Sequence, residues 1–137
     1  MSRSDISEVA GLHMVCLPHT ASSKIGLHLI CNLYAGLLAD SDCLAYVIKD
    51  RDRIIGCITA TTDLSETMRK QSQNLRNSEY IISLVLGIFS RKIDPKEILK
   101  RYLFEKTLVK RLGSKSEILT LFVEQKLRRQ GIAGREG

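Results

Sequence analysis

The spacing of apolar residues changes abruptly near residue 40, and this change limits the chain to folds that contain both helices and strands. Over residues 24–39 apolar side chains recur mostly three or four positions apart, which predicts a helix. Residues 43–48 and 54–62 are instead short apolar runs, the second rich in β-branched side chains, and the charged residues 50–53 separate them. They predict two strands joined by a tight turn, that is, a β-hairpin.

Capping and breaking residues predict further elements on both sides of this hairpin. A helix is expected from Asp5 to about Cys16, because Pro18 ends it, and a serine within residues 19–23 is expected to cap the next helix. After the hairpin the expected elements are a helix from Asp63 or Ser65 to residue 74, helices over 79–90 and 95–112, and a strand over 118–123. Gly113 is expected to end the last helix. Gly56, inside the second strand, predicts a bulge or a close backbone approach.

This order of elements predicts an α/β or α+β sandwich, with helices packed on a largely antiparallel sheet. The chain has 137 residues, of which 44% are hydrophobic, so residues 1–137 are expected to form one domain. The longest nearly apolar stretch, residues 80–89, has about half the length that a bilayer crossing requires, and the first residues lack the apolar core of a secretory signal. A cytoplasmic protein without a membrane partner is therefore expected.

The cysteines and histidines do not form a metal-binding or redox pattern. The four cysteines are 15, 12 and 14 residues apart with no C-x-x-C pair, and each lies among apolar neighbours. They are therefore expected to be reduced and buried. The histidines are expected to have structural or surface roles, and no metal is expected. The residues concerned are Cys16, Cys31, Cys43, Cys57, His13, His19 and His28.

The net charge of +6 comes from the second part of the chain. Residues 1–62 contain 5 Lys and Arg against 6 Asp and Glu, a balance of −1, whereas residues 63–137 contain 16 against 9, a balance of +7. Most of these cations alternate with acidic and apolar residues, as on solvated helix faces. Because the chain has no tryptophan and only 5% aromatic residues, a base-stacking surface is poorly supported and nucleic acid is disfavoured as a partner.

The most informative stretch is residues 119–133, where an apolar strand leads into a basic loop and then into small residues. Small residues allow the backbone to turn sharply and to leave successive N–H groups free for phosphate oxygens. Arg128 and Arg129 add two guanidinium groups, which suit phosphate geometry. The stretch therefore predicts an anion site.

Here the sequence resembles the GNAT superfamily of acyl-CoA-dependent N-acyltransferases, whose acetyl-CoA motif is Arg/Gln-x-x-Gly-x-Gly/Ala. Arg128, Gly131 and Ala133 match this motif in register, and Gln130 and Ile132 are typical of the positions between them. The order of helices, hairpin and following strand also resembles that of the family, which implies a central, mostly antiparallel sheet with helices on both faces. Residues 54–56 are similar to its Ile/Val-Val-Gly segment.

The resemblance implies transfer of an acetyl group from acetyl-CoA to a primary amine, which attacks the thioester directly while a strand N–H polarises the carbonyl. It implies that backbone amides at the motif bind the pyrophosphate and that the end of the strand borders the pantetheine and thioester. The implied cofactor-binding residues are Leu121, Phe122, Val123, Arg128, Arg129, Gln130, Gly131, Ile132 and Ala133. No catalytic residue is assigned, and Glu124 is expected to be a solvated side chain.

The sequence also departs from the family pattern. Gln125, Leu127 and Arg129 stand where the family often has proline, an aromatic residue and glycine. Only four residues follow Ala133, so the final strands and helix of the family are expected to be missing. The alternative is a non-catalytic interaction module, or half of a split protein, that pairs through the exposed edge of its last strand. Its partner would be a second copy or a complementing carboxy-terminal segment.

Overall fold

The computed structural model describes residues 1–74 and 115–129 and, between them, residues 86, 89, 90, 94–96, 99, 100 and 103. In chain order the helices and strands are α1 (Ile6–Cys16), α2 (Ala21–Ile25), α3 (Leu27–Ala39), β1 (Cys43–Asp50), β2 (Arg53–Thr61), α4 (Leu64–Asn74) and β3 (Glu117–Val123). Short 3₁₀ turns occupy Arg3–Asp5 and Gln125–Leu127. The helices predicted over residues 79–90 and 95–112, and their end at Gly113, lie largely outside the described residues.

The first predicted helix is confirmed, although Asp5 does not cap it in the usual way. Its carboxylate accepts hydrogen bonds from the Ser2 amide at 2.7 Å and from Lys49 Nζ at 2.7 Å. Although burial opposes it, the hydrogen bonds from Lys49 and Ser2 hold the pKa of Asp5 well below its usual range. Asp5 thus connects the start of α1 to β1.

The prediction of one continuous helix over residues 24–39 is wrong. Gly26 has φ 134° and separates α2 from α3. A residue with a side chain rarely adopts this φ, so glycine is needed for the break. The expected serine cap is also wrong, since the hydroxyl of Thr20 accepts the Ser23 amide at 3.3 Å.

The predicted hairpin is confirmed, with β1 and β2 each differing by one or two residues from the expected bounds. The three strands form an antiparallel sheet in the order β1-β2-β3. The register shifts where Ile48 faces Gly56 and Lys49 faces Ile54, which leaves Ile55 as an extra residue. This confirms the bulge predicted at Gly56. A Cβ at Gly56 would lie 3.1 Å from the Phe122 carbonyl oxygen, so the close approach to β3 is also real.

Helices α1 and α3 pack on one face of the sheet and form the core with it. Val47, Cys57 and Phe122 are cross-strand neighbours on that face. They pack with Val9 and Ile30, both fully buried. In the described part of the chain the fold is therefore α+β with a three-stranded antiparallel sheet. Within residues 1–74 and 115–129, however, helices cover only this face. The expectation of helices on both faces is therefore confirmed for one face of the sheet in these residues.

A buried polar cluster attaches α4 to the rest of the domain. The Asp40 carboxylate accepts hydrogen bonds from Lys70 Nζ at 2.7 Å and from the Thr67 hydroxyl at 3.1 Å. Thr67 also shares a 2.7 Å hydrogen bond with Thr61 at the end of β2. The predicted cap of α4 is confirmed, because Asp63 Oδ1 accepts the Glu66 amide at 3.1 Å.

The cysteine prediction is confirmed only in part. All four thiols are free, but only Cys57 is buried, while Cys16, Cys31 and Cys43 are half-buried. Burial raises the pKa of Cys57 to about 11. None of the helices in the described parts of the chain is both long enough and apolar enough to cross a membrane.

Candidate functional site

The loop that follows β3 is held against β2 by its first residue. The Glu124 amide donates to the Ile55 carbonyl at 2.8 Å, which extends the pairing of the two strands beyond Val123. The Glu124 carboxylate binds the Arg53 guanidinium through two hydrogen bonds of 2.7 and 3.3 Å. The expectation of a solvated Glu124 is therefore wrong, since its side chain is 20% exposed and paired. This pairing makes it an anchor of the loop.

The next residues form a compact turn. The Leu127 amide donates to the Glu124 carbonyl at 2.9 Å, and the Arg128 amide donates to the Gln125 carbonyl at 3.3 Å. Both bonds span three residues, as in a 3₁₀ turn. After this turn the Arg128 side chain reaches the ends of β3 and α1.

The exposed side chain of Arg128 turns back onto the protein surface, where it binds two backbone carbonyls. Its Nε donates to the Val123 carbonyl at 3.1 Å and its Nη2 donates to the Cys16 carbonyl at 3.4 Å. The Cys16 thiol also donates to the Val123 carbonyl, at 3.6 Å. The end of β3 and the end of α1 are therefore tied together through one guanidinium and one thiol.

Arg129 differs from Arg128 in both backbone and surroundings. Its φ is 68°, in the left-handed region that glycine adopts freely and other residues rarely adopt. The side chain is exposed and forms no hydrogen bond or ion pair with residues 1–74 or 115–129.

The predicted strand residues face opposite sides of the sheet. The Phe122 ring lies on the helix side, is 4% exposed and packs edge-on against His13 with ring centres 5.6 Å apart. Leu121 and Val123 lie on the other side, where Leu121 is 51% exposed. Of the three residues expected beside the pantetheine, Phe122 can thus contribute its backbone but not its ring.

The second face of the sheet is an apolar trough of about 530 Å³. Apart from Asp50 and Arg53 beside the turn, cross-strand neighbours on it carry no charged side chain, and Tyr46, Leu44 and Ile118 are more than half exposed. Such a face differs from the polar outer face usual for an antiparallel sheet in water. The trough is lined by Leu44, Tyr46, Ile48, Ile58, Ala60, Leu121 and Val123, and it is also bordered by Cys57 and Phe122, whose side chains lie on the helix side of the sheet.

A buried histidine, His13, contacts β3 on the helix side of the sheet. His13 Nδ1 shares a 2.8 Å hydrogen bond with the Tyr34 hydroxyl, and burial lowers the pKa of His13 and raises that of Tyr34. The ring is therefore neutral at pH 7. As expected from their spacing, His13 is structural, whereas His19 and His28 are exposed.

The sequence did not indicate the roles of Arg53, His13 or the Cys16 carbonyl. Each of them contacts β3 or its loop from more than 70 positions away, and no local motif marks such a contact. The motif residues Gln130, Gly131, Ile132 and Ala133 lie outside the described residues. Within the described part of the chain no three side chains of His, Cys, Asp or Glu are grouped as a metal site.

Comparisons with known proteins add no relative. No family model matches the sequence, and neither the curated proteins nor the solved structures contain a significant match. The contacts around β3 and its loop are therefore the physical basis for a functional proposal.

Proposed function

We propose that this chain is an N-acetyltransferase domain of the GNAT type, which transfers an acetyl group from acetyl-CoA to a primary amine. The amine nitrogen forms a bond to the acetyl carbon, the carbon–sulfur bond breaks, and coenzyme A leaves as the thiolate. The loop after β3 binds the pyrophosphate, and the end of β3 lies along the pantetheine. We place this activity in the cytoplasm, where cysteine thiols remain reduced.

The observation that carries the proposal is the anchored junction between β3 and its basic loop. Hydrogen bonds from Glu124 to β2 and from Arg128 to α1 fix this junction before any ligand is present. A binding loop that is already ordered loses less conformational entropy when it binds. The anchored residues 124–128 lead directly into the Arg-x-x-Gly-x-Ala run, and Arg129 is exposed next to them, where its guanidinium can meet an anion.

The apolar trough is compatible with acetyl-CoA as the acetyl donor. A pantetheine arm is mostly uncharged, and Leu121 and Val123 offer it an apolar border beside the basic loop. Because Arg53 holds the Glu124 carboxylate, this residue is not assigned as the base. The amine proton passes to water or to a carboxylate that the proposal leaves unassigned.

Acetyl-CoA is expected to raise the melting temperature of the wild-type chain. A ligand present at about 100 times its dissociation constant stabilises the folded state by about 2.7 kcal/mol, which corresponds to roughly 5–10 °C for a domain of this size. The substitution Gly131→Asp should abolish the rise, because it places a carboxylate in the phosphate path. Differential scanning fluorimetry with 0 and roughly 1 mM acetyl-CoA measures both effects.

Gly11→Asp is the matched control for this charge change. Gly11 lies in α1, and a Cβ there would meet nothing within 4 Å. This variant should retain the full rise in melting temperature. Absence of a rise in the wild-type chain, or an equal loss in both variants, contradicts acetyl-CoA binding at the loop.

A second candidate function, pairing with another chain through β3, is favoured by a separate observation. β3 lies at the edge of the described sheet, and its outward side chains Ile118 and Leu121 are 57% and 51% exposed. An apolar edge strand with unpaired backbone groups favours association with a further strand. We propose this pairing as the alternative to catalysis, with a second copy as the partner.

Analytical ultracentrifugation tests the alternative. If copies pair through β3, the wild-type chain should form dimers at tens of micromolar, and Leu121→Lys should shift them to monomers. Leu44→Lys is the matched control, because Leu44 is also 51% exposed on the same face but lies on β1, at the other edge. A monomeric wild-type chain, or an equal effect of the two lysines, contradicts pairing through β3.

A further inference from the structure

We propose that the two adjacent arginines of the loop have different roles. Arg128 is a positioning residue that fixes the loop against α1, and Arg129 is the arginine that contacts the phosphates of the ligand. This inference rests on the proposed function, since the ligand meant is the pyrophosphate of an acetyl-CoA donor. It replaces the expectation, drawn from the sequence, that both side chains face the ligand.

The role of Arg128 follows from the two carbonyls that it joins. Nε binds the Val123 carbonyl at 3.1 Å and Nη2 binds the Cys16 carbonyl at 3.4 Å, on two elements that are 107 residues apart in the chain. The planar guanidinium holds donors at fixed separations and can bridge two acceptors at once, whereas a lysine ammonium acts as a point charge. Arg128 therefore sets where the loop leaves β3.

The Cys16 carbonyl is a suitable acceptor for this purpose. Cys16 is the last residue of α1, where backbone carbonyls have no partner within the helix. The C-terminal end of a helix also carries partial negative charge, which favours a cation. The carbonyl that Arg128 binds is thus part of the folded protein. The guanidinium therefore has a hydrogen-bond acceptor there without a ligand.

The role of Arg129 follows from its backbone conformation and its surroundings. At φ 68° a side chain crowds the backbone, and glycine would remove this crowding. Arg129 is nevertheless present, it is exposed, and nothing in residues 1–74 or 115–129 pairs with its guanidinium. A disfavoured backbone at a proposed binding loop indicates that the side chain is retained for a contact made with a ligand.

The first experiment uses no ligand. Hydrogen–deuterium exchange of the full chain is followed by mass spectrometry for Arg128→Ala and Arg129→Gly. Loss of the guanidinium bridge should speed exchange in peptides covering residues 124–129 about tenfold in Arg128→Ala, while Arg129→Gly should leave it unchanged or slower. Peptides from β1 are the internal control and should exchange as in the wild type.

The second experiment measures the affinity for acetyl-CoA by calorimetry at several sodium chloride concentrations. Arg128→Lys retains the charge but cannot bridge both carbonyls, so binding should weaken about tenfold with the same salt dependence as the wild type. Arg129→Gly removes the charge from a backbone that suits glycine, so binding should weaken about tenfold and depend less on salt.

The two experiments separate failure of this inference from failure of the proposed function. Unchanged exchange in Arg128→Ala, or wild-type affinity in Arg128→Lys, overturns the positioning role. Wild-type affinity in Arg129→Gly overturns the ligand role. If the wild-type chain does not bind acetyl-CoA, the proposed function fails. The same titrations with inorganic pyrophosphate then decide the role of Arg129, and the exchange experiment still decides that of Arg128.

Discussion

Replacing Phe122 by alanine is expected to lower the free energy of unfolding by about 3–5 kcal/mol, the usual cost of removing a buried aromatic ring. The ring is 4% exposed and packs with Val9, Ile30 and His13 between the sheet and the helices. Its removal leaves a cavity in the only face of the sheet that the described helices cover. Urea denaturation followed by circular dichroism gives the value.

The neighbouring substitution Leu121→Ala is the matched control. Leu121 lies on the same strand but on the open face, where it is 51% exposed, so its truncation should cost about 1 kcal/mol or less. Similar losses for the two variants would contradict the assignment of Phe122 to the core and Leu121 to the trough. In that case β3 would pair with β2 in a different register.

Asp40→Ala is expected to destabilise the protein by about 2–4 kcal/mol, because several hydrogen bonds to one buried carboxylate are lost together. The carboxylate accepts bonds from Lys70, Thr67 and the Asp42 amide, and its side chain is 3% exposed. Since these bonds attach α4 to the end of α3, helicity should also fall before the core unfolds. Circular dichroism at 222 nm during urea denaturation measures both.

Asp42→Ala is the control for the loss of a carboxylate. Its side chain also binds Lys70, at 3.0 Å, but is 39% exposed, so water replaces the lost contact at little cost. Its effect should be less than half that of Asp40→Ala. Equal effects would show that the loss of stability comes from removing a partner of the Lys70 charge and not from disrupting the buried cluster.

The stability that Asp40 contributes should also depend on pH. Burial alone would raise the pKa of Asp40, but the hydrogen bonds from Lys70, the Asp42 amide and Thr67 together lower it below its ordinary value. The unfolded chain therefore takes up this proton at a higher pH than the folded chain. The contribution is complete at neutral pH and is lost as pH falls below about 4.

Much of the local structure could be predicted because its signals lie within a few residues. The change of apolar period near residue 40, the turn before Arg53 and the capping carboxylate of Asp63 each act over a single turn or hairpin. The predictions that failed depended on conformations without such a signal. Nothing local distinguishes the left-handed Gly26 that divides α2 from α3 from a glycine tolerated within a helix.

In the candidate site, too, the sequence predicted local features, whereas contacts between distant segments depended on the tertiary structure. The sequence alone indicated a basic loop after an apolar strand, and the residue types that an anion requires. It could not separate Arg128 from Arg129, which are identical in chemistry and adjacent in the chain. Only the tertiary structure brings the Cys16 carbonyl within reach of Arg128 and places Arg129 in a left-handed conformation, because hydrogen bonding and burial depend on which distant segments meet.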